Sequence, residues 1–264
     1  MQIKADDELS KILSDNISGS IEINLKLNNY LKKNFLLQEN KEEFILFLQE
    51  KFSTFQTIVN YLQEVYNLYY QPDHTNLKLY FYNFESDIEN VYLKIFRKFF
   101  PLVKNVDTFL TFSNSNTLLR IFEMLNKEIK EMVITVCESR PVLEGRTFCK
   151  KLIDLNISTR LTTEAMSARD IEASGAVVVG ADKILSNGDV INKIGTKQLA
   201  ILCRYFRKPF YVLADKSKIS NSNEFNPKEY PSVEIWNDAP IQLQINNIYF
   251  ERVDKDLITN VITD

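Results

Sequence analysis

A carboxylate, an amide and an ammonium group stand close together in AVVVGADKILSNGDVINKIGTKQ, residues 176–198: Asp182, Asn192 and Lys193. Gly195 and Thr196 follow and lead into an apolar periodic run, LAILCRYF. Lys193 and the free amides of a helix start suit a phosphate. Asp182 suits a hydroxyl group or a proton transfer, and Asn192 offers both a donor and an acceptor. Gly195 leaves room for the ligand. The spacing predicts a site for an anionic, polyhydroxylated small molecule; the competing reading is a tight turn and a helix cap. Two more loops follow strand candidates and precede helices. One, at 113–117, presents the hydroxyls of Ser113, Ser115 and Thr117. The other, at 137–141, presents Glu138 and the rigid donor fork of Arg140, which matches phosphate or carboxylate. Loops at the carboxyl ends of parallel strands gather at one edge. A single crevice is therefore expected, holding a ligand with a phosphate end and a hydroxylated end. The competing reading pairs Glu138 with Arg140 or Lys193 and leaves the hydroxyls as caps.

The elements that would position these loops change character near Leu102. Residues 1–101 form a helical domain by pattern, with candidate helices at 6–13, 21–35, 42–52, 53–66 and 88–100. The run IEINLKLNNYLKKNF at 21–35 alternates at first, so a strand competes there. Ser18, Gly19 and Ser20 break the chain before it and can cap it. The helix at 88–100 is expected to stop before Pro101. Residues 102–264 alternate strands (106–112, 132–136, 157–161, 176–179, 210–214) with helices. This is the rhythm of crossover units on a mostly parallel, Rossmann-like sheet. The expected fold class is α/β, and 217–231 reads as a polar loop, a lid or a surface excursion.

Composition narrows the function classes. A net charge of −3 gives no general drive toward nucleic acid or membrane. Three scattered cysteines and one histidine, His74 in a turn-like QPDHTN, offer no metal cluster, no disulfide framework and no Ser-His triad. There is no P-loop and no GxGxxG run. No metal or cofactor is expected. The charged start MQIKADDELSKILSDN has no apolar signal region and no apolar stretch is of membrane-spanning length, so a cytoplasmic location is expected.

Four segments in order, VCESRPVLEG, VGADKILSNGDVINKIGT, KPFYVLADKSKI and FERVDKDLITNVITD, resemble the alpha, beta and delta subunits of initiation factor 2B. Ribose-1,5-bisphosphate isomerases and methylthioribose-1-phosphate isomerases are relatives of that family, and an archaeal member is expected. The resemblance implies a helical domain followed by a Rossmann-like domain that builds oligomers. In the isomerases the residue matching Asp182 handles protons, and those matching Asn192, Lys193 and Arg140 bind substrate. Gly19 and Ser20 fall in a segment that is Arg-Gly-Ala in the isomerases, and Ser18 has no charge to offer. Ser113 stands where the isomerases carry a cysteine. A serine hydroxyl needs an activating base to act like a thiol, and none is evident in the sequence.

These departures lead to the expectation of a catalytically silent, initiation-factor-2B-like regulatory protein. It would bind a phosphorylated sugar or nucleotide through Gly19, Ser20, Ser113, Ser115, Arg140, Asp182, Asn192, Lys193 and Gly195. The first alternative is an active aldose–ketose isomerase acting on ribose 1,5-bisphosphate or a related sugar phosphate, using Asp182 with another partner such as Cys137; the second is a scaffold without ligand. The expected partners are a phosphorylated small molecule and a second copy of the chain. The homodimer would form through the C-terminal domain, with Phe210, Tyr211, Val212, Tyr230, Trp236, Tyr249 and Phe250 as candidate contacts. A translation initiation factor partner is implied by the resemblance alone.

Overall fold

Apolar residues at helical spacing open the chain, and five helices result: α1 (Asp7–Leu13), α2 (Ser20–Asn34), α3 (Lys41–Lys51), α4 (Gln56–Tyr69) and α5 (Thr75–Val103). The computed structural model describes residues 6–15 and 18–264; the charged start at 1–5 and residues 16–17 lie outside the described residues. The alternating run at 21–35 is a helix because Ile23, Leu27, Tyr30 and Leu31 fall on one buried face at a period of 3.6. Asn40 caps α3 reciprocally: its side chain accepts from the Glu43 amide at 3.1 Å and donates to the Glu43 carboxylate at 3.1 Å.

Helix α5 corrects the expectation of a stop at Pro101, since it runs through that residue to Val103. Proline costs one intrahelical bond and a clash. Here the apolar face continues through Ile95, Phe99 and Val103, all fully buried against the sheet, and that burial outweighs the break.

The second half alternates as the pattern requires: β1 (Thr108–Phe112), α6 (Asn116–Glu128), β2 (Val133–Cys137), α7 (Glu144–Asp154), β3 (Ser158–Thr162), α8 (Ser167–Ala173) and β4 (Ala176–Val179). A hairpin follows, β5 (Lys183–Ile184) with β6 (Val190–Lys193), then α9 (Thr196–Phe206), β7 (Phe210–Leu213), β8 (Phe250–Val253) and β9 (Asn260–Ile262). The main sheet is parallel throughout, in the order β3-β2-β1-β4-β7-β9. Helices α5, α6 and α7 cover one face of it, and α8 and α9 cover the other. The architecture is a helical region followed by a Rossmann-like domain.

The turn-rich segment after Asp182 is more ordered than a crossing loop. β6 pairs antiparallel with both β5 and β8, forming a small second sheet. No described helix is long and apolar enough to cross a membrane.

Candidate functional site

The sheet order reverses between β1 and β4, and the crevice above such a reversal is where open α/β sheets bind ligands. A cavity of about 310 Å³ lies there. From the sheet come Ser113, Asn114, Ser115, Asn116 and Thr117 after β1, Asp182 after β4, and Asn192 and Lys193 on β6. From the helical region come Ser18, Gly19 and Ser20 at the start of α2. Lys218, Lys228 and Tyr230 come from the polar stretch after β7, which is therefore a wall of the cavity and not a surface excursion.

Proton-handling groups face this space. Asp182 is partly buried, its amide bonded to the Ile191 carbonyl at 2.9 Å. Burial pushes its carboxyl pKa up more strongly than Lys218 and Lys193 pull it down, and Glu144 adds to the rise. Lys193 pairs with Glu144 at 2.7 Å, with both side chains almost wholly buried. The rings of Tyr249 and Phe250 lie 4.5 and 5.1 Å from the Lys193 ammonium and hold it from another side. Ser113 donates its hydroxyl to the same Glu144 oxygen at 3.1 Å, and the second oxygen of Glu144 has no partner. Ser113 itself sits at φ 69°, a left-handed conformation that a serine adopts at some cost, held by its amide bond to Ser139 Oγ at 2.8 Å. A carboxylate beside Ser113 thus exists. It was invisible in the sequence because Glu144 belongs to the α7 start, delivered by a different crossover.

Anion-binding capacity sits at a helix start other than the expected one. Gly19 is the N-cap of α2, and no side chain caps the amides behind it. A Cβ at Gly19 would come within 3.1 Å of the Asn114 carbonyl, so glycine lets the α2 and α6 starts converge on the cavity. The Thr117 hydroxyl, fully buried in that wall, has no partner.

The anion site expected between Arg140, Lys193 and the Gly195 helix start does not form. Glu251, brought across from β8 by its register with Asn192, accepts from the Gly195 amide at 2.6 Å and the Lys197 amide at 3.0 Å. The α9 start is already neutralised by the chain's own carboxylate. Gly195 answers a φ of 104° and a tight approach to the Phe112 ring, not a ligand. Arg140 lies outside the cavity, exposed, donating to the Ile235 carbonyl at 3.1 Å. Glu138 pairs with Arg146 at 2.9 Å. Cys137 does not line the cavity either; it is buried in the core, where desolvation pushes its thiol up to about 12. His74 stacks on Tyr69 in the helical region. Of the residues expected at an interface, Phe210, Tyr211, Val212, Tyr249 and Phe250 are core and only Trp236 is well exposed.

Comparison with known proteins adds to this geometry. The chain is 33% identical over 186 residues to a methylthioribose-1-phosphate isomerase of Bacillus pumilus, covering 62% of this chain and 52% of that one. It is 39% identical over 140 residues to the enzyme of that name in Bacillus cereus, covering 48% and 40%. The chain thus spans about half the length of the curated relatives it matches. The fold is that of the translation initiation factor eIF-2B of Pyrococcus horikoshii OT3 (TM-score 0.75, 22% identity, covering 96% of this chain and 92% of that one). It is equally that of the 5-methylthioribose 1-phosphate isomerase of the same organism (TM-score 0.73, 19%, covering 96% and 81%). Relatives named as isomerases, together with Glu144 beside Ser113, overturn the expectation of a catalytically silent regulatory protein. An initiation factor 2 subunit model matches residues 48–264, and the chain belongs to the initiation factor 2 subunit family.

Proposed function

We propose that this protein is a sugar-phosphate isomerase, converting a phosphorylated aldopentose of the methylthioribose-1-phosphate or ribose-1,5-bisphosphate kind into the ketose. The observation that carries the reading is the pairing of two proton-handling groups in one cavity: Asp182, with its raised pKa, and Ser113 hydrogen-bonded to Glu144. Asp182 gives its proton to the ring oxygen as the bond from that oxygen to C1 breaks. Hydrogen moves as hydride from C2 to C1. The 2-hydroxyl proton passes through Ser113 Oγ to Glu144, leaving a carbonyl at C2. Solvent exchange then returns one proton to Asp182 and takes one from Glu144, so the count closes. The uncapped α2 start, with Gly19 and Ser20, receives the phosphate, together with Lys193 and Lys218. Ser115 and Asn192 hold sugar hydroxyls.

The test is incubation with methylthioribose 1-phosphate and with ribose 1,5-bisphosphate, followed by carbon NMR. A ketose signal that disappears in Asp182→Asn is expected. No ketose from either sugar would overturn the reading.

The cavity is walled by both parts of the chain, and we propose that they act as two lobes, 1–101 and 102–264, joined through α5. A homodimer through the second lobe is supported by the exposed apolar side chains of Val233, Ile235, Trp236 and Ile241. Light scattering at a single-chain mass would contradict it.

A further inference from the structure

A second cavity, of about 280 Å³, is lined by α2, α4, α5 and the turn after β7, and it meets the first only at Ile21. Four polar atoms in its lining have no partner: both amide atoms of Asn24, Thr57 Oγ1 and Asp215 Oδ2. Their residues are 1%, 7% and 7% exposed. Each such atom, left buried and unbonded, destabilises the fold, and a carboxylate oxygen does so most. The other Asp215 oxygen is engaged, accepting from the amide and hydroxyl of Ser217. A single orphan is a local defect; three unpartnered acceptors on the residues of one cavity point to a ligand that donates.

The chemistry of the lining selects the ligand. Asp87, Asp215 and Asp264 face a single lysine, Lys216, so an anion is disfavoured. Asn24 Oδ1, Thr57 Oγ1 and Asp215 Oδ2 are three acceptors, matching the three hydrogens of a primary ammonium. The rings of Tyr61, Tyr80 and Phe84 pack on one another in the wall and give an apolar lining for the body of the ligand. We propose that this cavity is a second binding site, for a small primary amine carried on an apolar body. The proposal is independent of the isomerase reading, because none of these groups lines the first cavity.

The probe is 2-phenylethylamine, titrated calorimetrically into the full chain, with phenylacetate and 2-phenylethanol as the anionic and neutral controls. Binding of the amine is expected, with affinity at least roughly tenfold above either control, as for a charge-assisted hydrogen bond. Asp215→Asn should abolish that preference while keeping the shape of the site, and Thr57→Val should weaken the amine by a smaller factor. Asp182→Asn, which alters only the first cavity, should leave amine binding unchanged. Circular dichroism of each variant checks that it is folded. The proposal is overturned if the wild-type chain does not bind the amine at millimolar concentration. It is equally overturned if phenylacetate binds as well, if both Asp215→Asn and Thr57→Val bind the amine unaltered, or if Asp182→Asn removes the binding.

Discussion

Two helix starts in this molecule look alike in sequence and differ in what they can bind. The α9 start follows Gly195 and a lysine, and the α2 start follows Gly19 and a serine. The amides at the first are bonded to Glu251. Those at the second have no side-chain cap and border the cavity, and the carboxylates beside that start, Asp15 and Glu22, are paired with Lys26 and Lys151. A helix start is a site for an outside anion only when no carboxylate of the chain already occupies it. The same contrast separates two cations. Lys193 is drawn into the cavity by Glu144 and two aromatic rings, whereas Arg140 is turned out toward the Ile235 carbonyl.

The largest expected effect tests the cavity itself. Asp182→Asn should lower kcat for a sugar phosphate by about 10²–10⁴-fold, the range for a general acid, with substrate binding retained in calorimetry. It should also change the stability profile. Between the ordinary aspartate pKa and the raised folded value, the folded chain keeps a proton that the unfolded chain has released. Wild-type stability therefore falls as pH rises through that window. Urea denaturation should show the variant gaining on wild type above about pH 4; an unchanged gap across pH would contradict the buried-acid reading.

Next comes the support of Lys193. Glu144→Gln leaves a buried ammonium without its counter-charge and should cost about 3–5 kcal/mol of unfolding free energy. Ser113→Ala keeps the ion pair and should cost less, about 1 kcal/mol, while lowering kcat. Equal stability losses in the two variants would deny the pair its role.

The comparison of helix starts can be inverted directly. Ser20→Asp places a carboxylate at the α2 start, as Glu251 does at α9, and should weaken a sugar phosphate by about 1–2 kcal/mol. Glu251→Gln should cost about 1 kcal/mol of stability and leave sugar-phosphate affinity alone. Tighter phosphate binding in Glu251→Gln would mean that the α9 start is the anion site after all. The smallest effect belongs to Arg140→Ala, for which sugar-phosphate affinity should stay within about 0.5 kcal/mol of wild type.

Much of the frame was legible in the chain. The unbroken apolar runs at β4 and β7, the mostly apolar β1 and β2, and the alternation with helices pointed to a parallel sheet, because strands buried on both faces are written as apolar stretches. The loops after β1 and β4 were legible for the same reason, and with them Ser113, Ser115 and Asp182; Gly19 and Ser20 were named at the break before α2, and Asn192 and Lys193 in the segment beyond Asp182. Only the tertiary structure decided which charges meet. Glu144 reaches Ser113 and Lys193 from another crossover, Glu251 reaches the α9 amides by strand register, and Lys218 enters from the stretch after β7. Local spacing records which face an element buries. A long-range pair depends on how distant crossovers are packed and registered, and a single sequence carries no local mark of that.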